Sequence, residues 1–204
     1  SHRFIGNEEP SKIFLTVPKG LEKVLKQAVT QFPATEMSNG VLLTCNDLEQ
    51  LSNIRCYGEM LFLVPGLENV EAKEEEIGKA IISAQVLDYL DKRHIGEDEY
   101  RFRVEIRGLE PEKKQTFLKK CIKEMEAKSG HRLINSVSDY EVEFRIMMKK
   151  NKKVTIFLKL YTKEDNRFSY RRHDLAVSIR PSTAAMICAY IAPYMKKKAR
   201  VLDP

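Results

Sequence analysis

An α+β fold is predicted from three observations. Residues 1–65 read as strand, helix, strand, helix, strand; residues 101–107 (RFRVEIR) alternate apolar and charged without fault; residues 141–148 (EVEFRIMM) and 154–161 (VTIFLKLY) alternate again across a lysine-rich break. Period-two alternation specifies strands covered on one face, and a 3.6-residue period between them specifies amphipathic helices laid on that face. With 204 residues, 43% hydrophobic and 31% charged, the chain can bury a core in one large or two small domains.

The elements follow in order. Residues 12–18 (KIFLTVP) are apolar and β-branched, a strand. After Gly20, Leu21, Val24, Leu25, Ala28, Val29 and Phe32 recur at helical spacing. Ser38-Asn39-Gly40 is a turn before a strand at 41–44, and Asn46 or Asp47 can cap a helix over 48–57. Residues 60–64 (MLFLV) make a buried strand that ends at Pro65-Gly66. The stretch 67–76 is acidic and aperiodic, so it is expected to be a linker. A single helix is predicted over 77–93, with Ile77, Ala80, Ile81, Ala84, Leu87 and Leu90 on one stripe.

Strand 101–107 puts Phe102, Val104 and Ile106 inward and Arg101, Arg103, Glu105 and Arg107 outward. Gly108 and Pro111 punctuate before a helix at 112–128, whose buried stripe is Phe117, Leu118, Cys121, Ile122 and Met125. Its lysines, Lys113, Lys119, Lys120 and Lys123, alternate with glutamates, which marks a solvated face rather than a polyanion site. Strands 141–148 and 154–161 form a hairpin. From 164 the chain is polar and includes the basic-aromatic run RFSYRRH at 167–173. Pro181 opens a helix so apolar all round that it is expected to be buried between layers or against a further domain. Ser1-His2 has the form of a remnant of tag cleavage, and residues 199–204 (ARVLDP) read as a strand that has only begun, so the sequence is expected to be a piece of a longer protein.

Several classes of function find no support. No apolar run reaches the ~18–20 residues of a membrane helix and no secretory pattern opens the chain, so a cytoplasmic protein without a membrane partner is expected. Cys45, Cys56, Cys121 and Cys188 contain no CxxC pair, and His2, His94, His131 and His173 are scattered; no metal site is predicted and the thiols are expected to be reduced. His173 beside Asp174 reads as a surface turn, and no catalytic residue is assigned.

Charge points elsewhere. Residues 1–100 carry 10 Lys/Arg against 17 Asp/Glu, and residues 101–204 carry 25 against 12. A strongly basic half is the footprint of a polyanion binder, although surface lysines also serve solubility. The hairpin tip holds Lys149, Lys150, Lys152 and Lys153, which suits either a phosphate-contacting finger or edge protection. The outward strand positions collect Arg101, Arg103, Arg107, Arg145 and Lys159 among Phe157 and Tyr161. Such a face can stack on and ion-pair with single-stranded RNA, or it can dock against another domain with its arginines paired to the acidic N-terminal half. Arg171 and Arg172 add a further basic-aromatic candidate.

The succession of helix, RFRVEIRG strand, long helix and hairpin over 77–162, after a small α+β module, resembles a THUMP domain with its N-terminal ferredoxin-like companion. Residues 180–185 (RPSTAA), followed after an apolar helix by 201–204 (VLDP), resemble the entry to the methyltransferase domain of THUMP-containing RNA N2-guanine methyltransferases. The Cys-Gly-Ser-Gly loop and the Asn/Asp-Pro-Pro-Phe/Tyr motif of that family are absent from the sequence. The resemblance implies a ferredoxin-like module at 1–66, a THUMP domain at 67–163, and at 164–204 a linker leading to the first strand of a Rossmann-like domain. It also implies an intact enzyme that transfers a methyl group from S-adenosylmethionine to guanine N2 of tRNA or rRNA, with no DNA partner expected. This portion would grip structured RNA without catalysing, and a base held inside a helix would have to be flipped out. Thr183, Ala184, Asp203 and Pro204 would lie at the cofactor. A THUMP-type adaptor for another tRNA-modifying chemistry, and a protein-interaction scaffold, remain as alternatives.

Overall fold

The computed structural model describes residues 1–6, 9–173 and 175–202. The strands are β1 (Arg3–Phe4), β2 (Ser11–Thr16), β3 (Ala34–Met37), β4 (Gly40–Cys45), β5 (Met60–Leu63), β6 (Val70–Glu71), β7 (His94–Ile95), β8 (Tyr100–Arg107), β9 (Leu133–Asn135), β10 (Val142–Met148) and β11 (Lys153–Leu160). The helices are α1 (Glu22–Ala28), α2 (Glu74–Ile81), α3 (Ala84–Asp91), α4 (Pro111–Lys128) and α5 (Pro181–Ile191). The chain is mixed α/β and divides into two compact units, one built from 1–13, 45–48 and 61–164, the other from 14–44, 49–60 and 165–204.

In the first unit β10 lies between β8, to which it is parallel, and β11, to which it is antiparallel; β9 runs parallel on the far side of β8. Parallel neighbours cannot be joined by a tight turn, and α4 supplies the crossover from β8 to β9. Phe102, Val104 and Ile106 are buried on one face, in register with Val142, Phe144 and Ile146 of β10. Ile77, Ile81, Cys121 and Met125 of α2 and α4 complete that core. Each fully buried side chain of this kind contributes about 1.5–3 kcal/mol. A Cβ on Gly78 would stand 2.9 Å from the Cβ of Glu124, so only glycine lets α2 approach α4 this closely. A separate two-stranded sheet pairs Arg3 with Ile95 and Phe4 with His94.

In the second unit β3 and β4 form a hairpin in the register Met37↔Gly40, and β4 lies between β3 and the Phe14–Thr16 end of β2. A side chain on Gly40 would run into the Phe14 ring and come within 2.5 Å of the Leu15 carbonyl oxygen. α1 buries Leu25 and packs beside α5, whose buried residue is Met186.

Five expectations are corrected. The 77–93 helix is two helices, because extended Ser83 caps α3 by accepting from the Val86 N–H at 3.4 Å. The acidic stretch 67–76 is not a linker: Val70 and Glu71 pair with Val154 and Lys153, and Glu74, Glu75 and Glu76 occupy the first turn of α2, where the helix dipole favours carboxylates. The 48–57 helix is one 3-10 turn, Leu48–Leu51. Of the two settings expected for α5, burial between layers of this chain is overturned, since Ile187 and Tyr190 are about half exposed (48% and 52%). Residues 199–202 form no strand.

Candidate nucleic-acid interface

Strand register places the outward residues in rows. Arg103, Glu143 and Lys159 stand side by side across β8, β10 and β11; Glu105, Arg145 and Phe157 form the next row. Glu143 is completely buried between two guanidinium groups. Nε and Nη2 of Arg103 donate to one carboxylate oxygen at 2.8 and 2.5 Å, and Nε and Nη2 of Arg145 donate to the other at the same two distances. Arg145 is buried, as are Phe157 and Thr155, so the middle of this face is closed.

At the end of the face the chemistry changes. Arg103 lies 4.1 Å from the ring centroid of Tyr140, and its Nη2 donates to the Tyr161 hydroxyl at 3.0 Å. The rings of Tyr140 and Tyr161 meet edge to face at 4.9 Å, and Lys159 Nζ lies 4.6 Å from the Tyr161 centroid. Burial and the neighbouring Glu143 carboxylate push the Tyr161 phenol up to about 12, so it stays a neutral hydroxyl at physiological pH. Arg101 pairs with Asp139 at 2.7 Å and stands 4.0 Å from Glu141; Arg107, at the opposite end of β8, pairs with Glu105 at 3.6 Å.

The lysine-rich tip divides. Lys149 Nζ donates to the Glu68 carbonyl at 2.9 Å and to Asn69, and Lys153 pairs with Glu71, so these two fasten the hairpin to the 68–71 segment. Lys150 and Lys152 are exposed, with Lys152 in the left-handed region at φ 58. In the second unit Arg171 Nη1 donates to the Ile179 carbonyl at 3.1 Å, and Arg172 is exposed. Arg167, from the same basic-aromatic run, is buried: it donates to the carbonyls of Ile54, Tyr57 and Gly58, pairs with Asp165 at 2.8 Å, and covers the Tyr57 ring at 3.6 Å.

Pairing also changes the charge picture. The first unit holds 23 Lys/Arg and 22 Asp/Glu, the second 12 and 7. Residues from the acidic stretch 61–100 meet partners from the basic stretch in Lys153–Glu71, Lys120–Glu74 and Arg132–Asp91. Among the described residues, exposed cations remain at the tip lysines Lys150 and Lys152, at Arg172 and in the C-terminal run Lys196, Lys197, Lys198 and Arg200, and the Tyr140–Tyr161 end of the sheet face adds aromatic surface beside Lys159. Tyr140 and Glu143 were not singled out from the sequence, although the alternation of EVEFR already put Glu143 on the face of Arg145.

Of the residues implied for S-adenosylmethionine, Thr183 and Ala184 lie half-buried in the first turn of α5. A hydroxyl and a methyl group on one helical turn do not make a cofactor cradle by themselves. Asp203 and Pro204 lie outside the described residues. Among the described residues no cluster of three or more His, Cys, Asp or Glu could hold a metal ion, and no helix is long and apolar enough to cross a membrane.

No family model and no curated protein matches the sequence. Solved structures match the fold. A predicted N6-adenine-specific DNA methylase from Listeria monocytogenes is 14% identical with a TM-score of 0.58, over 88% of this chain and 48% of its own. A possible methylase from Clostridium difficile 630 is 15% identical with a TM-score of 0.56, over 90% and 48%. A 4-thiouridine synthetase, solved in complex with RNA and bound ATP, is 16% identical with a TM-score of 0.51, over 74% and 42%. The chain spans about half the length of these structures and shares the fold of the matched part of each.

Proposed function

We propose that the chain is the RNA-binding portion of an S-adenosylmethionine-dependent RNA methyltransferase acting on guanine N2 of tRNA or rRNA. On this reading residues 1–66 are a ferredoxin-like module, 67–163 a THUMP domain and 164–204 the passage into a Rossmann-like catalytic domain. The observation that supports it is the fold held in common with a predicted DNA methylase, a possible methylase and a 4-thiouridine synthetase solved with RNA. The RPSTAA and VLDP segments support methyl transfer as the chemistry. Within this portion the residues bind and orient: Lys150 and Lys152 meet phosphates, the Arg101, Arg103 and Lys159 end of the face meets the RNA, and Arg171 and Arg172 extend the contact. No residue of the portion acts on the reacting atoms. The cofactor, when bound in the intact protein, supplies the methyl group. A cytoplasmic location accompanies this role.

The complete gene product, incubated with methyl-labelled S-adenosylmethionine and transcribed tRNA and rRNA, should yield N2-methylguanosine on nuclease digestion. Label in duplex DNA and none in RNA would overturn the reading. The likeness to the 4-thiouridine synthetase favours a second reading, an RNA-binding adaptor for another tRNA modification. RNA binding without any methyl transfer would move the conclusion to it.

A further inference from the structure

We infer that the Tyr140–Arg103–Tyr161 cluster is a stacking site for an unpaired base of the bound RNA, a deepening that rests on the RNA-binding reading above. Tyr161 closes the β11 end of the face and is 39% exposed, a large aromatic surface open to solvent where the core has no use for it. Its ring does not float. The hydroxyl accepts from Arg103 at 3.0 Å and donates to Glu143 at 3.3 Å, and the Tyr140 ring braces it edge to face. Glu143, wholly buried and gripped by Arg145 as well, fixes Arg103 in turn. The result is a rigid aromatic surface with a guanidinium beside Tyr140 and the Lys159 ammonium 4.6 Å from the Tyr161 centroid. A nucleotide presents the complementary chemistry: a flat π-face to lie on the ring and a phosphate to meet the cations. In a duplex each base face is already covered by its neighbours, so only an unpaired base from a loop, bulge or end can use such a surface.

The test uses the whole chain and two RNA probes of one sequence, a single strand carrying 2-aminopurine and its duplex. For Tyr161→Ala, affinity for the single strand should fall roughly tenfold or more while duplex affinity stays within about twofold, and the stacking quench of 2-aminopurine seen with the wild-type chain should disappear. Tyr161→Phe, which keeps the ring and loses the hydroxyl, should retain the quench and most of the affinity. An unchanged single-strand affinity in a folded Tyr161→Ala variant, an equal loss on the duplex, or a Tyr161→Phe defect as large as that of Ala would overturn the stacking site while leaving RNA binding in place. No binding of either probe by the wild-type chain would instead remove the RNA-binding reading, and the stacking site with it.

Discussion

Glu143 and Arg145 stand two residues apart on the same strand, and Arg145 donates from both Nε and Nη2 to one oxygen of that buried carboxylate, at 2.8 and 2.5 Å. Two residues along a strand is one repeat of the pleat, so both side chains project from the same face. Removing a shared buried carboxylate strands the guanidinium groups that it neutralises, a change that typically costs about 3–5 kcal/mol. Glu143→Ala should therefore lower the melting temperature by roughly 6–20 °C for a chain of this size. A melt within about 2 °C of wild type would show that the network contributes little.

The tip lysines should separate into two classes. Lys150→Glu with Lys152→Glu should weaken RNA binding and reduce the slope of log affinity against log salt by about 1 to 2, with an unchanged melt. Lys149→Ala or Lys153→Ala should instead cost up to about 1 kcal/mol of stability, since each loosens a partly exposed tie to the 68–71 segment. Equal effects of the two pairs on the salt slope would contradict this division.

Arginines of the 167–173 run should behave unlike one another. Arg167 satisfies three carbonyls and one carboxylate at once. Lysine cannot reproduce that fork, so Arg167→Lys should lower stability by about 2 kcal/mol or more in urea unfolding. Arg172→Ala should leave the unfolding curve within about 0.5 kcal/mol.

His94 adds a pH dependence. A carbonyl can only accept, so Nδ1 donates to Leu90 at 2.8 Å, and in the neutral ring Nε2 accepts from the Thr162 hydroxyl at 2.7 Å. Burial, the largest cause, lowers its pKa below the ordinary 6.5. The unfolded chain then takes up the proton first: the contribution to stability is complete above about pH 6.5 and is lost as pH falls from there through the lower folded value. Between pH 7.5 and 5.5 wild type should lose more stability than His94→Gln. Parallel curves for the two proteins would rule out this role.

Much of the fold was legible because its longest elements carry clean periods. RFRVEIR puts Phe102, Val104 and Ile106 in the core, and the two strands of the hairpin lie where their alternation places them. β1, β6 and β7 have two residues each and β9 three, too few to display a period, and they exist through pairing with distant partners. The break at Ser83 was hidden because the apolar stripe runs on through both helices. In the candidate site the basic residues and their neutralisation were legible, but not the partners: Arg101, Arg103, Arg107 and Arg145 pair with Asp139, Glu141, Glu143 and Glu105 of the basic half rather than with the acidic half. Glu71 lies 82 residues from Lys153, and no local pattern announces that pair. The exposed Ile187 and Tyr190 show the reverse case, where apolar composition suggested burial that this chain does not supply.

RNA binding by the chain itself is the central claim, and the salt dependence of its association with transcribed tRNA tests it most directly. Affinity measured between about 50 and 200 mM salt should fall linearly on logarithmic axes, with a slope set by about 0.7–0.9 per phosphate contact and reduced in the Lys150→Glu, Lys152→Glu variant. An affinity independent of salt, or no detectable association at the lowest salt, would contradict the account.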